Sequence, residues 1–238
     1  MKLDMLAIAA HPDDIELSCS GTLLTHLDKG KKVGVLDLTR GEMGTRGTPE
    51  TRMEEAEASS KILGLTVRLN LGFEDAFFKN DLDHQLKIIK VIREYQPAVV
   101  LANAVRDRHP DHGKAADLVR TACFLSGLKK VETDINGEAQ TAWRPKNVFH
   151  YIQSVHLQPD FIVDVSPFWE KRMDSVRAFK SQFHDPNNSE PDTYISSPEF
   201  MKMIEARGKE FGHAIGVNYG EGFMVNRPIG VSSMFDLI

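Results

Sequence analysis

Residues 6–16 read Leu6-Ala7-Ile8-Ala9-Ala10-His11-Pro12-Asp13-Asp14-Ile15-Glu16, and the fold follows from how this stretch divides. Its first half is a continuous apolar run, the pattern of a strand buried on both faces. Its second half is a polar turn that feeds into an amphipathic stretch over 15–29, read as a helix. The alternation then repeats, with strands over 33–38, 66–71 and 97–102 and helices over 49–63, 82–95 and 113–124. Thr48 suits the N-cap of the second helix, Pro49 its first turn and Gly64 its C-terminal stop. Leu82, Leu86, Ile89 and Ile92 share one face of the third. Apolar strands each followed by a helix imply a doubly wound, Rossmann-like α/β fold, with a mostly parallel sheet and helices on both faces. Later strands are expected over 149–153 and 161–165, helices over 174–183 and 198–211, and a polar loop over 184–197. The expected organisation is one domain over 1–238, with an α/β core in 1–130. The remaining strands, a loop and C-terminal helices follow in 131–238 as an extension.

The bulk properties exclude several function classes. A chain of 238 residues can bury a sizeable core, and a net charge of −5 without a long basic run does not suit nucleic acid or an anionic membrane. The apolar run after Met5 is cut short by His11, so it is too brief for a signal peptide or membrane span. Cys19 and Cys123 are far apart and are read as free thiols rather than a disulfide framework. The expectation is a cytoplasmic protein with no nucleic-acid or membrane partner.

In open α/β sheets, ligands bind beyond the carboxyl ends of the strands. Two polar clusters fall there. The first is His11-Pro12-Asp13-Asp14, and the second is Arg106-Asp107-Arg108-His109-Pro110-Asp111-His112 after the fourth strand. No G-x-G-x-x-G follows the first strand, which argues against a dinucleotide oxidoreductase. The doubling argues against a non-catalytic binding module. Catalytic zinc takes three protein ligands from His and carboxylate and keeps one position open. Two His and one Asp make such a set, leaving a surplus His and Asp for proton transfer.

At these residues the chain resembles the LmbE-like, or PIG-L, family of zinc-dependent de-N-acetylases. The resemblance rests on residues 10–16, on Gly21-Thr22-Leu23, Leu38-Thr39-Arg40-Gly41-Glu42 and Gly44-Thr45-Arg46-Gly47, and on Arg52 with Glu55-Ala56. It continues through Arg108-His109-Pro110-Asp111-His112 and Tyr219-Gly220-Glu221-Gly222-Phe223. Ser181-Gln182-Phe183 and Glu221-Gly222-Phe223 point to the bacillithiol-biosynthesis branch, which deacetylates N-acetylglucosaminyl-malate. Ser18-Cys19-Ser20 departs from the glycines of many relatives.

The resemblance implies roles residue by residue. His11, Asp14 and His112 match the zinc ligands, a site that also accepts Fe2+ or Co2+. Asp13 matches the general base, His109 an acid or oxyanion stabiliser, and Asp111 the carboxylate that orients His109. Arg52 matches a substrate-binding arginine, with Arg144 and Tyr194 as a second substrate arginine and a mobile tyrosine near the oxyanion. On spacing alone Arg52 is a surface helix residue, Arg144 a stacking partner for Trp143, and Tyr194 a residue in a polar loop. Glu16 is read either as a partner of a ligand histidine or as an early-helix acid. Whether Asp13 or His109 protonates the leaving amine is open at this level. The implied partner is a small N-acetyl-sugar, with mycothiol-type precursors, thiol-conjugate amides and chitooligosaccharides as rivals to the malate glycoside. A homo-oligomer, commonly a hexamer in such relatives, is also implied.

Overall fold

The computed structural model describes residues 1–183 and 190–237, so residues 184–189 of the expected polar loop lie outside the described residues. The opening apolar run forms β1 (Met5–Ala9), buried along its whole length. The helical stretch after it is two helices, α1 (Asp14–Ser18) and α2 (Ser20–Asp28), broken at Cys19. The break has a cause in α2's own first turn. Its Gly21 and Thr22 N–H groups donate to the buried Glu221 carboxylate at 3.0 and 2.7 Å, so they are unavailable for a continuous helix.

The order then runs β2 (Val33–Thr39), α3 (Pro49–Leu63), β3 (Val67–Phe73), α4 (Leu82–Tyr95), β4 (Val99–Ala102) and α5 (Pro110–Leu125). The capping expected for α3 is present, since Thr48 accepts from the Thr51 N–H and Gly64 takes a left-handed φ of 77°. A short hairpin of β5 (Asp134–Ile135) and β6 (Glu138–Ala139) precedes β7 (Asn147–Tyr151) and β8 (Phe161–Asp164). The chain continues with α6 (Trp169–Arg177), α7 (Pro198–Ala214) and β9 (Gly220–Val225).

The main sheet has the order β3-β2-β1-β4-β7-β9-β8. It is parallel except for β9, which runs antiparallel to both neighbours. Alternate side chains go to opposite faces, as the two-residue strand period requires. Leu6, Ile8 and Leu36 pack beneath α4 and α5, while Ala7, Ala9 and Val35 pack beneath α1 and α2. Between α3 and α6 lies a further cluster of Ala56, Met173 and Val176.

Two late expectations shift. The helix expected over 174–183 starts earlier and ends at Arg177, because Ser181 turns away to give both its N–H and its hydroxyl to Glu55. The two later helices are α6 and α7, and after them comes an unexpected strand, β9, inserted between β7 and β8. Its glycines hide it from pattern reading but are required by packing. A Cβ at Gly222 would stand 2.8 Å from the Phe211 ring, and one at Gly220 would meet the α7 backbone. No helix among the described residues is long and apolar enough to cross a membrane. Cys19 and Cys123 are buried free thiols.

Candidate metal centre and active site

The strand order reverses between β1 and β4, so the loops leaving their carboxyl ends diverge and open a crevice. The turn after β1 and the start of α1 carry His11, Asp13 and Asp14; the loop after β4 and the first turn of α5 carry Asn103, Asp107, His109, Asp111 and His112. Asn103 ties the two together by accepting the Ala10 N–H at 2.9 Å and donating to Asp14 at 2.9 Å.

Asp14 stands between two imidazoles and turns a different oxygen to each. His11 Nδ1 lies 3.6 Å from Oδ2, and His112 Nε2 lies 3.0 Å from Oδ1. The outward nitrogens are also engaged. His11 Nε2 is 2.9 Å from Asp75 and 3.5 Å from Asp111, while His112 Nδ1 is 2.6 Å from Asp107. A carboxylate on the outer nitrogen fixes the proton there and leaves the inner one free as a ligand. Ligand atoms within 4.8 Å of one another among the described residues form two groups, His11 with His109 and His112, and His11 with Asp75 and Asp111. The second group is accounted for by the hydrogen bonds to the outer face of His11. With Asp14 between the two inner nitrogens, two imidazoles and one carboxylate are donor types that suit a divalent cation, and His109 lies beside them.

Electrostatics agree. Burial works against the charged form of each imidazole, but the surrounding carboxylates prevail. His112 is pushed up to about 9 by Asp14 and Asp107, and His11 stands well above its usual range through Asp111, Asp14 and Asp75. This pocket favours positive charge, whether protons or a metal.

Asp13 caps α1 in a left-handed conformation, φ 108° and ψ −26°. A non-glycine residue there costs about 1–3 kcal/mol, a strain typical of functional positions. The turn aims its carboxylate away from that of Asp14 and against Arg52, which donates to Asp13 at 3.0 Å, to Gln182 at 2.9 Å and to the Pro12 carbonyl. Burial pushes Asp13 up to about 7 despite the opposing guanidinium. His109 caps α5: its Nδ1 accepts the Asp111 N–H at 3.3 Å, so its proton resides on Nε2. Burial and the neighbouring His11 and His112 lower its proton affinity, so His109 is a neutral donor near pH 7.

Several expected roles change with the geometry. The Asp111 carboxylate does not orient His109, which it meets only through its backbone N–H. It goes instead to Lys114 at 2.6 Å, to the Ala76 N–H at 2.9 Å and toward His11. Arg52 is buried rather than on the surface, because it bridges the first turn to Gln182. Glu16 is an early-helix acid, in the first turn of α1, and does not partner a ligand histidine; it is buried and bonded to Ser59 and Arg68, and Arg68 also holds Asp37. Arg144 stacks on Phe124 at 4.4 Å and donates to its carbonyl. Phe124 is near the far end of a 16-residue helix that starts at the site, so Arg144 lies roughly 20 Å away at 1.5 Å rise per residue.

A cavity of about 420 Å³ opens over these groups, lined by His11, Asp13, Asp14, Arg52, His109 and His112, with Tyr194 and Arg207. Tyr194 lies in a short 3-10 turn, Tyr194–Ser196, half exposed, with the Arg108 guanidinium 4.3 Å over its ring. Sequence reading missed Asp75, Asn103, Gln153 and Arg207. Gln153 donates to Asp14 at 3.0 Å and accepts from Asn103. All but Arg207 lie just beyond strand ends, the one signal that could have found them.

Residues 6–123 match the model of the PIG-L family, described as GlcNAc-PI de-N-acetylase. The diacetylchitobiose deacetylase of Thermococcus kodakarensis is 31% identical over 233 residues, covering 92% of this chain and 81% of that protein. The 4-oxalmesaconate hydratase of Pseudomonas putida is 25% identical, covering 75% and 74%. A probable N-acetyl-alpha-D-glucosaminyl L-malate deacetylase 2 of Bacillus anthracis is 28% identical, covering 50% and 58%. Among solved structures, the conserved protein TT1542 of Thermus thermophilus superposes with a TM-score of 0.86 at 36% identity, covering 98% of both chains. The chain belongs to the PIG-L, or LmbE-like, family of de-N-acetylases, hydrolases of amide bonds.

Proposed function

We propose that this enzyme hydrolyses the acetamide of an N-acetylglucosamine conjugate, with N-acetylglucosaminyl-malate as its preferred substrate. The observation that carries the reading is the pair of inward imidazole nitrogens flanking Asp14, with the strained Asp13 carboxylate beside them. His11, Asp14 and His112 are the residues that would hold a divalent cation. Zinc is the expected ion, which when bound polarises a carbonyl oxygen and acidifies water.

The chain's own groups then divide the work. Asp13, with a proton affinity near neutrality, takes the proton of the attacking water, and Arg52 keeps its carboxylate aimed at the cavity. Attack on the acetyl carbonyl generates an oxyanion, toward which neutral His109 and the Tyr194 hydroxyl are the available donors. Asp13 returns the proton to the amine as the C–N bond breaks, giving free amine and acetate. The low proton affinity of His109 favours this route over proton delivery by an imidazolium. A homo-oligomer belongs to the same reading, supported by the exposed apolar side chains Met234 and Phe235.

The test is turnover of the zinc-loaded and iron-loaded protein under anaerobic conditions, with acetate and free amine both measured. The malate glycoside should be preferred over diacetylchitobiose and a mycothiol-type precursor. Absence of that preference would discard the malate assignment while leaving the deacetylase. The hydratase relative supplies a second reading. Water addition to 4-oxalmesaconate with no acetate released from any N-acetyl-sugar would replace the proposal.

A further inference from the structure

Three arginines line the cavity, and their charges are matched very differently. Arg52 is fully occupied by Asp13, the Pro12 carbonyl and Gln182. Arg108, exposed at the rim, has the Tyr194 ring beneath its guanidinium. Arg207, half-buried on α7, gives Nη2 to the Ser154 carbonyl at 3.2 Å and to the Met203 sulfur at 3.0 Å. Among the described residues neither Arg108 nor Arg207 has a carboxylate within 4.0 Å; Arg52, Arg68 and Arg172 each have one, and the buried Arg93 is instead satisfied at all three nitrogens by the Ser126, Leu128 and Val131 carbonyls and the Thr133 hydroxyl.

An arginine drawn into a protein is ordinarily paired, because desolvating the charge is costly. Burial accordingly lowers the proton affinity of Arg207 from its ordinary range. Its Nε and Nη1 have no hydrogen-bond partner among the described residues, so N–H donors on either side of the engaged Nη2 remain for a ligand, and the residue lines a cavity large enough for a sugar conjugate. The carboxylates lining that cavity are already claimed, Asp13 by Arg52 and Asp14 and Asp75 by the imidazoles. A carboxylate on a ligand would complete the hydrogen bonding that Ser154 and Met203 leave unfinished.

We infer that Arg207, assisted by Arg108, binds a carboxylate on the part of the substrate attached to the N-acetyl-sugar and so selects anionic conjugates over neutral oligosaccharides. The inference rests on the de-N-acetylase reading above and assigns the recognition to residues that sequence reading did not single out. Arg144, expected to help bind the substrate, is too distant to do so. A charge-assisted hydrogen bond from guanidinium to carboxylate is roughly twice as strong as a neutral one, so it favours a carboxylate over a hydroxyl at this position. The purely structural alternative is that Arg207 props the Ser154 backbone and, through it, the neighbouring Gln153 on Asp14. That role would affect every substrate equally.

Comparing kcat/KM on N-acetylglucosaminyl-malate and on neutral methyl N-acetylglucosaminide separates the two. The wild type should prefer the anionic conjugate. R207Q should lower the anionic-to-neutral ratio about 10- to 100-fold, mainly through KM, and R207K should recover part of it. R108Q, at the exposed rim, should lower the ratio by less, and R207K keeps the test alive if R207Q does not fold. An equal loss on both substrates, or a wild type with no preference, would overturn the assignment. Calorimetric binding of the deacetylated products, glucosaminyl-malate and methyl glucosaminide, reads the same contrast without turnover. Equal product affinities would remove Arg207 as the anion site, whereas failure to release acetate from either substrate would remove the deacetylase reading.

Discussion

Replacing Asp107 by asparagine should weaken metal binding at His112 without unfolding the protein. The Asp107 side chain is fully buried, its Oδ2 lies 2.6 Å from His112 Nδ1, and its Oδ1 accepts the Val155 N–H at 2.7 Å. Asparagine preserves the shape and can still accept from Val155 through its carbonyl. Its NH2 group then faces Nδ1 as a donor, which turns Nδ1 into an acceptor and moves the imidazole proton to Nε2, where it opposes a metal. Losing such an outer partner typically weakens metal binding 10- to 100-fold, or about 1.4–2.7 kcal/mol. The upper end is expected here because the bond is short, charge-assisted and shielded from water. Asp75→Asn should cost less, since Asp111 also reaches the outer nitrogen of His11. Zinc affinity measured by competition with a chelator at pH 7, with circular dichroism as the folding control, gives the comparison. Unchanged affinity in folded Asp107→Asn would refute the claim that His112 binds metal through Nε2.

Three further outcomes follow from the same geometry. Because His112 holds its proton up to about 9, metal and proton compete for it. Zinc affinity should therefore rise at least tenfold per pH unit below about pH 9, since zinc also displaces the raised proton of His11, and a chelator titration that is level between pH 6 and 8 would contradict this. Asp13→Asn should keep its zinc while losing about 10²- to 10⁴-fold in kcat. Asp13 must be deprotonated to act, so wild-type activity should rise with pH through its acidic limb, centred at or below about 7 because a bound cation draws the carboxylate down. A variant that stays fully active would remove Asp13 as the base. Arg144→Ala should leave kcat/KM within about twofold and cost at most about 1 kcal/mol of stability from its stacking on Phe124. A large rise in KM would restore it to the site.

What the sequence revealed and concealed has a physical pattern. Periodicity and capping residues are local signals, so β1 to β4, the α3 caps and the two His-Asp clusters could be read directly. Asp75, Asn103 and Gln153 obey the rule that located those clusters, for each follows the carboxyl end of β3, β4 or β7. A single polar residue beyond a strand is common, however, and it gains meaning only when the strand order brings several ends to one crevice. Arg207 is further from view still: it sits on the face of α7 with ordinary neighbours in sequence. Its unmatched charge exists only against the fold that encloses it.

Glu16 shows why doubling a charge near a site is poor evidence of catalysis. Its place after His-Pro-Asp-Asp suggested a partner for a metal ligand, yet its carboxylate is tied to Arg68, 52 residues on, which also holds Asp37 at 2.7 Å. Arg68 sits on β3 and Asp37 on the adjacent β2, so the pairing needs the parallel register of those strands, with α1 packed over them, before it can be read. Breaking such a buried set typically costs about 3–5 kcal/mol because the surviving charges are left without compensation. The network therefore fixes α1, and with it the strained turn that aims Asp13, from behind. Glu16 serves the site by holding its scaffold in place, and the chemistry is left to the residues on the open side of the turn.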